Sequence, residues 1–216
     1  MKNKIFLIEI IVYAVLPILI WKYGREMVDD YIAMLASTIP GIIYTIYRFA
    51  KDKQFNITGL FVLISLVIGT SADLLSGSAE QMIWNGVYLG LLFSTFHFLL
   101  FLIKRPLSLY LAVDFMYLQG EARQDSRALF YQKGIFKYFQ IIQILFVVRG
   151  ICLSALTAFL LNRHGVDGYT SMLIYKQVVM WSFSIAIIGL FFYINVPVKK
   201  HFAKLNKELE QSSAAI

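Results

Sequence analysis

The chain has 216 residues, of which 59% are apolar and 15% charged, and its formal net charge is +7. An average soluble domain is about 25% charged, so this composition excludes an ordinary soluble globular protein. The longest stretch between apolar segments, residues 104–137, is shorter than the roughly 50 residues that a separate soluble domain needs. The sequence therefore predicts one all-α membrane domain over residues 1–216.

Six apolar segments are each long enough to cross a bilayer. A hydrocarbon layer about 30 Å thick requires roughly 20 mostly apolar residues in a helix. The predicted transmembrane helices are residues 5–21, 31–47, 57–75, 82–103, 138–161 and 172–198. They leave a connector at 104–137 and a tail at 199–216.

The loops between these segments carry their basic residues on one side. With the N-terminus inside, fifteen of the twenty Lys and Arg residues fall in cytoplasmic loops and the tail. Lys22, Arg25 and Arg163 fall outside, and Arg149 and Lys176 lie within spans. Because cytoplasmic loops are rich in Lys and Arg, both termini are predicted to be cytoplasmic. The positive charge then faces anionic lipid headgroups rather than nucleic acid.

Two prolines interrupt the first two spans. Pro17 cannot donate a hydrogen bond to the carbonyl of Tyr13, and Pro40 cannot donate one to that of Ala36, so both helices are predicted to kink. Broken helices build binding sites in many transporters. Prolines are also common in membrane helices that serve only for packing.

Ionisable and polar residues inside the spans are costly and often functional. We predict an intramembrane polar site in the inner half of the bilayer from Glu9, Tyr13, His97, Gln143 and Arg149. Glu9 could instead extend to the inner surface, and His97 could be a hydrogen-bonded core residue. Arg149, near the middle of its span, is expected to have a buried acidic, phosphate or carbonyl partner.

A second pair of charges is predicted nearer the outer side. Asp73 and Lys176 lie about one turn deep in spans three and six, close enough to pair if those spans touch. The alternative is that Lys176 extends to the outer surface.

Small residues at helical spacing predict where helices touch, because membrane helices associate by close backbone approach. These residues are Ser65 and Gly69 in span three, Gly86, Gly90 and Ser94 in span four, and Gly150, Ser154 and Ala158 in span five. They indicate either packing within the bundle or a homodimer through the two glycines of span four.

The connector between spans four and five contains an apolar stretch from Arg105 that is too short to cross the membrane. It predicts an interfacial helix on the cytoplasmic side, with Asp114 facing water. The mixed-charge stretch that follows, residues 121–137, predicts a helical approach to span five.

Three stretches resemble a known family. They are the run IPGIIYTIYRFAK at Ile39–Lys51, a span that opens with Thr58-Gly59-Leu60, and the run FLIKRPL at Phe101–Leu107. Over about residues 30–115 the chain resembles small bacterial inner-membrane proteins related to the intracellular septation protein A (YciB-like) family. The resemblance implies a location in the cell (inner) membrane, a role in envelope maintenance or septation, and no catalytic residue.

The sequence has no phosphate-binding glycine motif and no metal-binding Cys or His cluster, so no catalytic residue, metal or cofactor is predicted. The leading hypothesis is a non-enzymatic scaffold or homeostasis factor of the cell envelope that contacts the bilayer and other envelope proteins. The alternative is a small transporter or channel for an ion or small solute that uses Glu9, His97 and Arg149. A second alternative is an intramembrane enzyme that acts on a lipid.

Overall fold

Every regular element in the described residues is helical, which confirms the all-α prediction. The computed structural model describes residues 8–51 and 57–213. The elements are a π-helical turn (Ile11–Val15), α1 (Leu16–Gly24), α2 (Asp30–Lys51), α3 (Ile57–Leu74), α4 (Ala79–Leu102), α5 (Leu107–Leu118), α6 (Arg123–Phe130), α7 (Lys133–His164), a 3₁₀ turn (Gly165–Gly168) and α8 (Tyr169–Ser213).

Three helical stretches in the described residues are long and apolar enough to cross a membrane, namely Asp30–Lys51, Ala79–Leu102 and Lys133–Val198. The third contains 66 residues, about three times the length that one crossing requires. Two shorter helices, Gly59–Leu74 and Leu107–Tyr117, are also apolar. These helices indicate a membrane location.

The longest stretch is divided by the 3₁₀ turn at Gly165–Gly168. Gly165 has a φ of 59°, a left-handed conformation that glycine adopts without a steric cost. Beyond the turn, Tyr193 of α8 lies 5.4 Å from Tyr138 of α7 between ring centroids, and Phe191 lies 6.3 Å from Phe139. A step forward along α7, from Tyr138 to Phe139, corresponds to a step backward along α8, from Tyr193 to Phe191. These parts of α7 and α8 therefore run antiparallel.

The chain divides into two compact units, Met1–Phe96 with Val148–Trp181, and His97–Val147 with Ser182–Ile216. The core of the first unit joins α1, α2, α4, α7 and α8. Its buried members are Trp21, Ala33, Met34, Ala79, Met82, Ile83, Leu160, Leu161 and Met172. Trp21 is 1% exposed and packs edge-on against Tyr169, with ring centroids 5.0 Å apart.

One arginine links the ends of three elements in this first unit. Arg25, just after α1, donates a hydrogen bond of 2.6 Å to Asp167 in the 3₁₀ turn and lies 3.3 Å from Asp30 at the start of α2. Its guanidinium also lies 4.7 Å from the ring centroid of Trp21. The hydrogen bond to Asp167 raises the pKa of Arg25 above its usual value.

The core of the second unit includes the connector helices α5 and α6 together with parts of α7 and α8. Its buried members are Leu109, Val113, Phe130, Ile135, Phe139, Ile142, Ile187 and Ile194. The predicted helical approach to span five is present as α6 and the start of α7. The connector is therefore a packed part of the fold.

The prediction that Asp114 faces water is wrong. Asp114 is only 4% exposed, and its carboxylate lies 3.6 Å from the guanidinium of Arg123. Arg123 also lies over the ring of Tyr117, 4.1 Å from its centroid. Ser108 in the same helix is fully buried and donates a hydrogen bond of 2.9 Å to the carbonyl of Phe139. The face of α5 that carries Asp114 is turned into the unit because Arg123 provides the opposite charge there.

The helix before Pro17 departs from regular α geometry. The amide of Leu16 donates to the carbonyl of Ile11, a bond that spans five residues and closes the π-helical turn. Tyr13, whose carbonyl Pro17 cannot satisfy, lies in this turn. Pro40 lies inside α2, which continues through it. The predicted kinks at Pro17 and Pro40 remain predictions.

Small residues bring α4 and α7 together within the first unit. A Cβ atom added to Gly90 would overlap the hydroxyl of Ser154, and one added to Gly150 would overlap that of Ser94. Both serines are 4% exposed. Ser94 donates to the carbonyl of Gly90 at 2.8 Å, and Ser154 donates to that of Val87 at 3.2 Å. Each glycine thus accommodates a serine from the other helix.

We expect Gly90→Ala and Gly150→Ala to destabilise the protein, because each new methyl group displaces a buried serine and breaks its hydrogen bond. The expected loss is about 1–3 kcal/mol per substitution. Denaturation in detergent, followed by circular dichroism, measures it.

Gly189→Ala is the matched control, since Gly189 lies inside α8 and a Cβ added there meets no atom within 4 Å. It should unfold as the wild type does, or slightly later, because alanine favours a helix over glycine. Equal losses in all three variants would show that the close contact between α4 and α7 is absent.

Candidate functional site

A cavity of about 290 Å³ lies within the first unit, among α2, α3, α4, α7 and α8. Nearly half of its lining residues are Met, Leu or Ile. Its polar lining consists of Thr38, Asp73, Thr157, Tyr169 and Lys176. An apolar cavity with a few convergent polar groups is the usual form of a small-molecule site.

Two of these polar residues carry opposite charges. Asp73 on α3 and Lys176 on α8 are both half-buried, and their charges attract each other across the cavity. Among the residues that the structure describes, neither charged group has a hydrogen-bond or ion-pair partner. The structure thus brings the predicted outer pair to one cavity without placing the two groups in direct contact.

The position of Asp73 is fixed through the backbone at the end of α3. The hydroxyl of Tyr31 on α2 shares its one proton between the carbonyl of Asp73 at 3.0 Å and that of Leu74 at 2.9 Å. The last carbonyls of a helix have no partner within the helix. Tyr31 supplies one, which holds the end of α3 against α2 and leaves the Asp73 side chain on the cavity wall.

Glycines keep the cavity open. Gly69 on α3 and Gly86 on α4 both line it, and a Cβ added to either would meet no atom within 4 Å. Both were predicted as helix contacts, together with Ser65 and Ala158. Ser65 donates to the carbonyl of Phe61 in its own helix, and Ala158 is half-buried.

A second cavity, of about 170 Å³, contains two members of the predicted inner site, Glu9 and Tyr13. The carboxylate of Glu9 lies 3.7 Å from the guanidinium of Arg48. Arg48 also donates to the hydroxyl of Tyr44 at 3.4 Å, and the hydroxyl of Tyr13 lies 2.8 Å from that of Thr45. These contacts connect the start of the chain to the end of α2.

Arg48 is the partner that sequence reasoning missed, because its position at the end of a span made it one of many flanking basic residues. The signal in the sequence is its spacing. Tyr44, Thr45 and Arg48 lie on one face of α2, three and four residues apart. Gly41 lies on the same face, and the ring of Tyr13 packs against it. A Cβ atom added to Gly41 would lie 3.3 Å from that ring.

His97 and Gln143, the two other uncharged members of the predicted inner site, pair within the second unit. The amide nitrogen of Gln143 lies 2.9 Å from both Nδ1 and the carbonyl oxygen of His97. Gln143 is fully buried, and His97 is 7% exposed and stacks on Phe146 at 5.1 Å. Because an amide NH₂ has two hydrogens, it donates to both acceptors, which makes His97 neutral with its proton on Nε2.

Arg149 is half-buried in α7, directly before Gly150. It does not line either of the two cavities. Its predicted buried partner remains a prediction. In the described part of the chain, no three His, Cys, Asp or Glu side chains are grouped so as to hold a metal ion.

The chain matches no protein-family model, no curated protein and no solved structure. The resemblance to relatives of intracellular septation protein A therefore rests on the quoted residues alone.

We expect Gln143→Met to destabilise the protein by about 1–3 kcal/mol, because it removes the two buried hydrogen bonds that Gln143 donates to Nδ1 and to the carbonyl of His97. The matched control is Gln140→Met, one turn away. The side-chain oxygen of Gln140 is buried and has no hydrogen-bond partner among the described residues, so its removal should cost little. Chemical denaturation in detergent measures both, and a larger loss at Gln140 would contradict the assignment.

Proposed function

We propose that this chain is a multi-pass membrane protein that binds a small polar solute in the 290 Å³ cavity and carries it across the bilayer. The observation that supports this proposal is the presence of Asp73 and Lys176 on that cavity. Ionisable groups within apolar helices are costly and generally mark a solute or ion pathway. The solute site of the proposal therefore lies at Asp73 and Lys176, in place of the inner site first expected for a transporter.

The proposed topology has six spans and cytoplasmic termini. The antiparallel arrangement of α7 and α8 supports two spans within the 66-residue stretch. The apolar helices α3 and α1, the latter with its π-helical turn, supply two more beside α2 and α4. The one-sided distribution of Lys and Arg supports the orientation.

Reporter fusions test this topology directly. Fusions after Arg25, Ser78 and His164 should report the outer side, because these positions lie in the loops poor in basic residues. Fusions after Lys53, Gln124 and Lys207 should report the cytoplasm. A reversed result at any adjacent pair of sites would rule out the six-span topology.

A second candidate function is a scaffold in envelope maintenance or septation. The observation that favours it is the packed connector, in which the contact between Asp114 and Arg123 joins α5 to α6 and both helices belong to the buried core of the second unit. A folded connector presents a defined surface to a partner, whereas a loose loop does not. In vivo crosslinking from Glu121, an exposed residue of this connector, should recover division or envelope-synthesis proteins if the scaffold function is correct.

The solute-binding function is tested with purified protein and a panel of small ions, sugars, amines, carboxylates and amino acids. A ligand at about one hundred times its Kd stabilises the folded state by about 2.7 kcal/mol. We expect at least one compound to raise the unfolding temperature of the wild type and to cross the membrane of reconstituted vesicles. Neither effect should occur with Gly86→Leu, whose side chain fills the open cavity.

Gly189→Leu is the control for this experiment, because it adds the same side chain at a glycine of α8 with open space around it. It should retain both binding and flux. If no compound of the panel stabilises the wild type or crosses the vesicle membrane, the solute-binding function is wrong.

A further inference from the structure

We propose that the solute of the Asp73–Lys176 cavity is a zwitterion, with a primary ammonium group at Asp73 and a carboxylate or phosphate at Lys176. This inference rests on the proposed solute-binding function and specifies its chemical class. The two charged residues come from different helices, α3 and α8, and line the same cavity.

The charges of the lining favour a ligand with no net charge. Asp73 and Lys176 attract each other, yet neither makes an ion pair among the described residues. A simple anion at Lys176 would add a second negative charge near Asp73, and a simple cation at Asp73 would add a second positive charge near Lys176. Like charges brought together in a site oppose binding. A zwitterion places an opposite charge beside each residue.

The two threonine hydroxyls of the cavity lining can act only as hydrogen-bond acceptors toward a ligand. Thr38 donates its proton to the carbonyl of Leu35 at 2.8 Å, and Thr157 donates to that of Leu153 at 2.7 Å. A hydroxyl has only one proton to donate. Both oxygens therefore have only lone pairs to offer a ligand.

The two threonine hydroxyls accept hydrogen bonds from a ligand and do not donate them, which suits an ammonium group with three N–H donors. Lys176 is the charged donor of the lining for the anionic end. The hydroxyl of Tyr169, the other neutral polar group of the lining, can donate or accept and so can serve either end.

The volume limits the size of the occupant. A cavity of about 290 Å³ is at the lower end of the roughly 300–1,000 Å³ of most ligand pockets. Two sources supply a zwitterion of this size. One is a free amino acid or related amine acid, and the other is the headgroup of an aminophospholipid whose acyl chains remain in the bilayer.

Thermal unfolding of the full-length protein in detergent distinguishes the class of ligand. The zwitterionic probes are glycine, 3-aminopropanoate, 4-aminobutyrate and phosphoethanolamine, and the matched single-charge probes are propylamine and propanoate. We expect a zwitterion to raise the unfolding temperature, and the single-charge probes to have no effect at the same concentration. In a second arm, vesicles with phosphatidylethanolamine are compared with vesicles of phosphatidylcholine, whose headgroup lacks N–H donors. Stabilisation by the former alone identifies the lipid source.

Substitutions locate the binding. Asp73→Asn and Lys176→Gln should each weaken zwitterion binding about 30-fold or more, whereas Glu26→Gln and Lys22→Gln, at exposed positions, should not change it. The double variant Asp73→Asn/Lys176→Gln removes both charges together and so leaves no unpaired charge in the lining of the cavity. It should fold and give no response to a zwitterion, even where a single variant fails to fold.

The outcomes separate this inference from the function on which it rests. If propylamine, propanoate or another compound of the wider panel stabilises the wild type while zwitterions do not, the solute-binding function stands and the zwitterion is wrong. If the double variant still responds to a zwitterion, the assignment to Asp73 and Lys176 is wrong. If nothing in either panel stabilises the wild type, both proposals fail.

Discussion

Polar groups in these apolar helices must find partners inside the protein, because hydrocarbon offers none. The hydroxyls show how closely this constraint is met. Ser65, Thr95 and Thr157 each donate to the carbonyl four residues earlier in their own helix. Such local bonds satisfy the donor without help from a second helix. The helices can then be placed by other contacts, above all those of glycine and of the larger polar groups.

The same constraint divides the polar residues of the chain into two kinds. The side-chain nitrogen of Gln143 donates to both Nδ1 and the carbonyl of His97, so the two residues act as a buried connection within the second unit. Asp73 and Lys176 lie on a cavity and have no such partner among the described residues. A charge costs several kcal/mol to hold in a bilayer. No partner in the described residues offsets this free-energy cost for Asp73 and Lys176. A bound ligand of opposite charge is the simplest physical reason for their presence.

The sequence predicted the helices well, because hydrophobic length and helical spacing are local properties. It also placed Asp73 and Lys176 at one level, since depth in a span can be counted from its end. It failed for Asp114, whose neighbours in sequence form an apolar run that resembles an interfacial helix. The burial of Asp114 depends on Arg123, which lies in the next helix and reaches back across a turn. A pattern within one helix cannot show a charge supplied by another.

Glycine spacing illustrates the same limit within one helix. Gly86 and Gly90 belong to one GxxxG motif of α4, yet Gly90 receives the hydroxyl of Ser154 while Gly86 borders the cavity. The motif determines only that this face of α4 is flat. The side chain opposite decides whether the flat surface becomes a helix contact or the wall of a cavity. A larger side chain at Gly90 should therefore destabilise the protein, whereas a larger side chain at Gly86, one turn away, should fill the proposed binding site. Measurements of stability and of binding on the same variants distinguish the two effects.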